Sequence, residues 1–266
     1  MDIAFAEHLD LLDLHGRAAV ASLAQLGPTD TLPPRAMPAH QATREHWATL
    51  EIWAWSLEHP GEHWSDRAEP ESPADHSDLV AAVSAELTRL EDLLLAAGPD
   101  QPIDYFGRPG TTSEVARLLA HEAIGVAHAA SLAAGRTTPA LHPAAAADGI
   151  DRALDHWAEP DADVGWQPRP ALLRATDLGP SDTGPSWTVD FGQDRRGETG
   201  AVRAGTGDEP SVVVEGPATA LLWWLHDHQV GDDVTVSGDP DAVRTLRLAL
   251  DHELEPAPRR KAWWRG

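Results

Sequence analysis

The sequence predicts a mainly α plus α+β protein: an antiparallel four-helix bundle followed by a small α+β domain. Three observations carry this expectation. Apolar residues recur at spacings of three and four from the start of the chain to about residue 158, the signature of helices with one buried stripe. From about residue 168 onward, short β-branched runs lie between turn signals instead. Between the two, Ala158-Glu159-Pro160-Asp161-Ala162-Asp163-Val164-Gly165 is acidic and broken by Pro and Gly, as expected of a linker. The domains are accordingly placed at 1–158 and 168–266.

The first helix is expected over Ile3 to Leu26, with Phe5, Leu9, Leu12, Ala19 and Leu23 on its stripe and Gly27-Pro28 as its stop. The second covers Ala39 to Glu58, where Ala42, His46, Leu50, Trp53 and Leu57 share a face, so His46 points inward. After a loop rich in Glu, Pro, Ser and Asp, the third runs from Ser77 to Ala97 on Leu79, Val83, Leu87, Leu90 and Leu94. The fourth starts with Thr112 as N-cap and ends before Gly135, with Val115, Leu118 or Leu119, Glu122, Val126, Ala129 and Ala133 as its stripe. A carboxylate therefore occupies a position where an apolar residue is expected. A shorter fifth helix spans Ala144 to Trp157. The second half reads as strands over 171–176, 186–191, 200–204 and 211–215, a helix over 217–228, a strand over 233–237 and a helix over 239–252. Gly216-Pro217 and Ser237-Gly238-Asp239-Pro240 are strand-to-helix junctions.

Composition narrows the function. The chain has 20 Lys+Arg against 43 Asp+Glu, a formal charge of −23, which repels phosphate backbones and anionic lipid. No nucleic-acid partner and no membrane are expected, and a small-molecule substrate is. There is no cysteine, hence no disulfide and no protein thiol nucleophile. No positively charged leader opens the chain and no apolar run approaches the roughly 18 residues of a membrane helix, so a cytoplasmic protein is expected.

Fourteen histidines make imidazole the available ligand type. His46 and Glu122 fall on two inward stripes, and His8 and His15 lie on one face of the first helix at a spacing of seven. A buried carboxylate needs a partner or a metal, and His46 can serve Glu122 in either way: as a hydrogen-bonded pair or as a co-ligand. Eleven tryptophans against three phenylalanines offer a second signal. Trp53 and Trp224, with Trp55 and Trp223, either line a pocket for an apolar ligand or fill the core. Gly107-Arg108-Pro109-Gly110 lacks the Gly-Lys-Ser/Thr ending of a phosphate loop and reads as a turn. The basic, aromatic tail Arg259-Arg260-Lys261-Ala262-Trp263-Trp264-Arg265 is either a partner-binding patch or a segment folded onto the acidic surface.

Several segments resemble one family. His46-Trp47-Ala48-Thr49-Leu50-Glu51-Ile52-Trp53-Ala54 is similar to the histidine-bearing second helix of the maleylpyruvate isomerase-like proteins, a mycothiol-dependent actinobacterial branch of the DinB superfamily. Arg117-Leu118-Leu119-Ala120-His121-Glu122, followed by Ala133-Ala134-Gly135, resembles that family's fourth helix, and Ala147-Asp148-Gly149-Ile150-Asp151 resembles the helix that ends its bundle. Leu172-Leu173-Arg174-Ala175-Thr176-Asp177, Trp187-Thr188-Val189 and Asp233-Val234-Thr235-Val236-Ser237-Gly238-Asp239-Pro240 resemble its C-terminal domain. The resemblance implies a thiol-dependent isomerase or transferase in which a divalent metal, such as zinc, lowers the pKa of bound mycothiol. It implies His46 and Glu122 as metal ligands; without a metal, His46, Glu122 and His228 are the candidate acid and base catalysts, and Trp53, Arg117 and Trp224 are the candidate substrate-binding residues.

The departures are specific. Val126 stands where the family has a histidine four residues after Glu122, and Ala129 where an Asp follows. His121 and His128 are turned about 100° and 240° from Glu122 and do not replace the missing ligand directly. His228 stands where the family often has an arginine. The metal set is thus incomplete, which implies a repurposed member; the alternative is a metal-free acid/base catalyst or a non-catalytic small-molecule-binding protein on the same scaffold.

Overall fold

The computed structural model describes residues 3–155, 160–179, 184–203, 209–226 and 231–250. It divides into two compact units, one over residues 2–140 and one over 141–266. The helix that sequence periodicity reads as the end of the bundle therefore belongs to the second unit.

The first unit holds α1 (Phe5–Leu23), α2 (Ala39–Glu58), α3 (His76–Ala97) and α4 (Thr112–Ala133). Two small hairpins, β1/β2 (Thr31–Leu32 and Met37–Pro38) and β3/β4 (Pro102–Tyr105 and Arg108–Thr111), precede α2 and α4. The segment read from sequence as a turn at 107–110 is mostly strand: the turn is Phe106-Gly107, both with positive φ, which suits a two-residue hairpin connection.

Residue pairs along the helices fix their directions. His8 faces His121 and Ser22 meets Ser131, so α1 and α4 run the same way. His40 lies by His76 and Glu58 pairs with Arg89, so α2 and α3 also run together. The Leu23 carbonyl meets the His76 ring and Arg17 approaches Glu91, so α1 and α3 are antiparallel. Parallel α2 and α3 require a long return. The 20 residues of α2 span about 30 Å, and residues 59–75, extended, reach farther than that. Arg67 ties this loop to α2 through a buried ion pair with Glu51 at 3.3 Å.

The bundle core follows the periodicity. Leu12, Leu50, Trp53, Leu57, Val83, Leu87, Leu90, Leu94, Val115 and Leu119 pack into one cluster, and Leu23, Leu32, Ala39, Val80 and Ala130 form a second. Both α3 and α4 begin on side-chain caps: Asp75 accepts from the amides of Ser77 and Asp78, and Glu114 reaches back to the Thr111 amide.

The second unit is a five-stranded mixed sheet with helices α5 (Pro143–Leu154), α6 (Ala218–Leu225) and α7 (Pro240–Leu250). Its strands are β5 (Gln167–Ala175), β6 (Ser186–Gln193), β7 (Thr199–Arg203), β8 (Val212–Gly216) and β9 (Thr235–Gly238), in the order β7-β6-β5-β8-β9. Only β5 and β8 pair in parallel. Alternation puts Ala171, Leu173, Trp187, Val189, Phe191, Val212 and Val214 into one core, completed by Ile150 and Leu154 of α5, Leu221 and Leu222 of α6, and Leu246 of α7. This shared core explains why α5 joins the sheet. Asp151 of α5 adds a polar clamp, accepting from the Trp187 indole at 3.0 Å and from Arg203 at 2.6 Å. Asp148, one turn earlier, is also fully buried.

Candidate functional site

The interior of the bundle carries an unusual number of imidazoles. On α2, the buried positions Thr43, His46, Leu50, Trp53 and Leu57 recur at three and four, and this spacing directs His46 inward. His46 is 4% exposed, and neither ring nitrogen has a hydrogen-bond partner among the described residues. Burial lowers its pKa to about 4. At neutral pH it is an uncharged ring that offers one lone pair and one N–H to the interior.

Glu122 sits differently from the sequence expectation. The buried positions of α4 include Val115, Leu119, Ala123, Ala127 and Ala130, which places the inward stripe one residue beyond Glu122; Glu122 itself is half-buried. With His46 unbonded, the two do not form the hydrogen-bonded pair that sequence reasoning offered. Nor does either belong to a set of three ligand atoms within 4.8 Å of one another among the described residues. Val126, half-buried, supplies hydrocarbon where the resemblance implies an imidazole. The residues at these three positions do not fit a metal ion.

A different group of imidazoles does converge. His8 and His15 lie on the inward face of α1, on either side of Leu12, and both are buried. The His8 ring meets the His121 ring of α4 edge to face, with centroids 6.2 Å apart, and their ligand nitrogens lie within 4.8 Å of each other. His15 is fully buried with both nitrogens unpartnered. Its pKa is lowered first by burial and then by the neighbouring His121. The spacing of seven on α1 signalled this face. What sequence could not supply was the parallel pairing of α1 with α4, which turns His121 toward it.

The remaining candidates separate. Trp53 is buried, with its ring 5.6 Å from Tyr105 and 5.3 Å from Phe106, and Arg108 lies over Tyr105 at 4.6 Å. Its indole is committed to packing at the turn end of the β3/β4 hairpin. Arg117 is half-buried on α4. Trp224 lies in α6 under the Arg247 guanidinium at 5.0 Å, and Arg247 donates to the Trp224 carbonyl at 2.7 Å, tying α7 to α6. His228 and the basic tail over 259–265 lie outside the described residues. A cleft of about 510 Å³ in the second unit is lined by Arg174, Thr176, Glu215, Asp233 and Thr235. Arg174 and Glu215 neutralise one another there at 2.7 Å. No described helix is long and apolar enough to cross a membrane.

No family model matches the chain, and no curated relative is found. Two solved structures share its fold. One is the mycothiol-dependent maleylpyruvate isomerase, at 15% identity and a TM-score of 0.56. The other is a histidine-to-alanine mutant of a mycothiol-dependent maleylpyruvate isomerase, at 14% identity and 0.57. Each match covers 89% of this chain and 94% of the other. The chain therefore shares the fold of the mycothiol-dependent maleylpyruvate isomerase, a helical bundle followed by a mixed α and β unit, as the sequence resemblance implied.

Proposed function

We infer that this protein is a small-molecule enzyme of the maleylpyruvate isomerase-like, mycothiol-dependent isomerase or transferase group, repurposed at its metal position. The observation that carries this reading is His46: an imidazole buried in a bundle of this fold with neither nitrogen satisfied. Leaving such a group without a partner costs about 1–3 kcal/mol, so its presence is explained by a ligand that completes it. A chain without cysteine must import any thiol it uses, and mycothiol is the thiol on which the structurally similar enzyme depends. In this reading His46 orients the thiol or its proton, with Glu122 as the acid or base. Arg117 is the proposed substrate-binding residue of the same unit. The expected locality is the cytoplasm, where that thiol is available.

Calorimetric titration with mycothiol, followed by a mycothiol-dependent assay on maleylpyruvate and related cis-unsaturated acids, tests this. Binding of mycothiol that weakens at least tenfold in His46→Ala, with turnover that requires the thiol, is the expected result. Turnover that is the same with and without mycothiol favours the metal-free acid/base catalyst. Binding of a small acid with no turnover favours the non-catalytic binding protein. The depressed pKa of His46 gives the thiol reading its advantage, because a ring that is neutral down to about pH 4 is a weak general base at neutral pH.

A further inference from the structure

The geometry points to a divalent-metal site on the seam between α1 and α4, with His8 and His121 as its imidazole ligands. It is distinct from the position around His46 and Glu122 and does not rest on the thiol reading.

Two observations support it. The ligand nitrogens of His8 and His121 already lie within 4.8 Å of each other. Two nitrogens on a tetrahedral zinc ion, each at about 2.0–2.1 Å, sit roughly 3.3 Å apart, so a modest rotation of either ring seats an ion between them. The rings meet edge to face at 71°, so the edge of one ring already addresses the other. Second, the site is built into the core: His8 is 3% exposed, and the helices that carry the two rings pack along their length with Leu12 and Ala116 nearby in one cluster. Side chains held this way are fixed before the ion arrives.

The donor type selects the ion. Imidazole nitrogens favour zinc, copper, nickel or cobalt over calcium or magnesium, and no thiolate is present to compete. The charge of −23 raises the local concentration of any divalent cation at the surface.

The test uses the full chain, purified without a histidine tag, stripped with chelator and titrated with Co²⁺ by visible absorption and with Zn²⁺ by calorimetry. One equivalent is expected to bind. His8→Gln and His121→Gln are each expected to weaken binding at least roughly 100-fold, at or beyond the 10–100-fold that follows loss of an outer ligand partner. His46→Gln is expected to bind as the parent does. Should a glutamine variant fail to fold by circular dichroism, anomalous diffraction from parent crystals grown with Zn²⁺ decides the matter without it. A peak between the His8 and His121 rings sustains the site. No stoichiometric binding, a peak elsewhere, or binding lost in His46→Gln but kept in His8→Gln and His121→Gln overturns it. Mycothiol binding is measured separately, so either proposal can fail while the other stands.

Discussion

The hydroxyls of Ser22 on α1 and Ser131 on α4 meet at 3.1 Å in a buried position. This contact, with His8 against His121 toward the other end of α1, shows that the first and last helices of the bundle run side by side in the same direction. A hydroxyl pair inside a core is worth little net but is costly to break from one side.

Accordingly, Ser131→Ala alone is expected to destabilise the protein by about 1–2 kcal/mol, because Ser22 is left buried without a partner. The double variant Ser22→Ala/Ser131→Ala is expected to recover most of that loss. Urea unfolding of the two singles and the double gives the coupling; additive losses would show that the two hydroxyls do not depend on each other.

Gly16 faces Leu87 of α3 with no room for a side chain. A Cβ there would lie 2.6 Å from Cδ2 of Leu87, which is itself buried. Gly16→Ala should therefore cost about 1–2 kcal/mol through overpacking, even though alanine is the better helix former. Adding Leu87→Val should return part of it. A stabilised Gly16→Ala protein in thermal melts would mean that the seam yields more easily than its packing suggests.

The depressed pKa of His46 makes stability depend on pH. The ordinary value of 6.5 applies to the unfolded chain and about 4 to the folded one, so between them the unfolded chain binds more protons. Stability is fully present above pH 6.5 and falls as the pH drops toward 4. His46 alone contributes a loss of about 2 kcal/mol between pH 7.5 and pH 5. His15 acts in the same direction. His46→Leu should flatten this part of the profile; equal slopes for variant and parent in urea unfolding at the two pH values would refute the assignment.

At the start of α6, Pro217 offers no side-chain cap, and the Ala218 amide donates instead to Asp177 from the loop after β5, at 2.9 Å. Asp177→Ala is expected to cost about 1 kcal/mol, the usual value of a lost cap. Asp177→Asn, which keeps the oxygen, should cost less than half of it, measured by the same unfolding experiment.

Amino-acid order alone determined the elements. Periods of three and four placed α2 over 39–58 without error and α1, α3 and α4 to within a few residues, because each helix buries a continuous stripe whatever it packs against. Alternation and Gly-Pro junctions placed the strands of the second unit for the same local reason. Four strands escaped this reading: β1 and β2 have two residues each, and β3 and β4 have four, too short for a period of two to stand out. The tertiary structure decided how these pieces face one another. His46 is inward on any reading of α2, but Glu122 is not the inward residue of α4, and α5 contributes to the core of the sheet. His8 and His121 become neighbours only because α1 and α4 run in parallel. That direction is set by loop lengths and long-range packing, neither of which leaves a mark within a single helix.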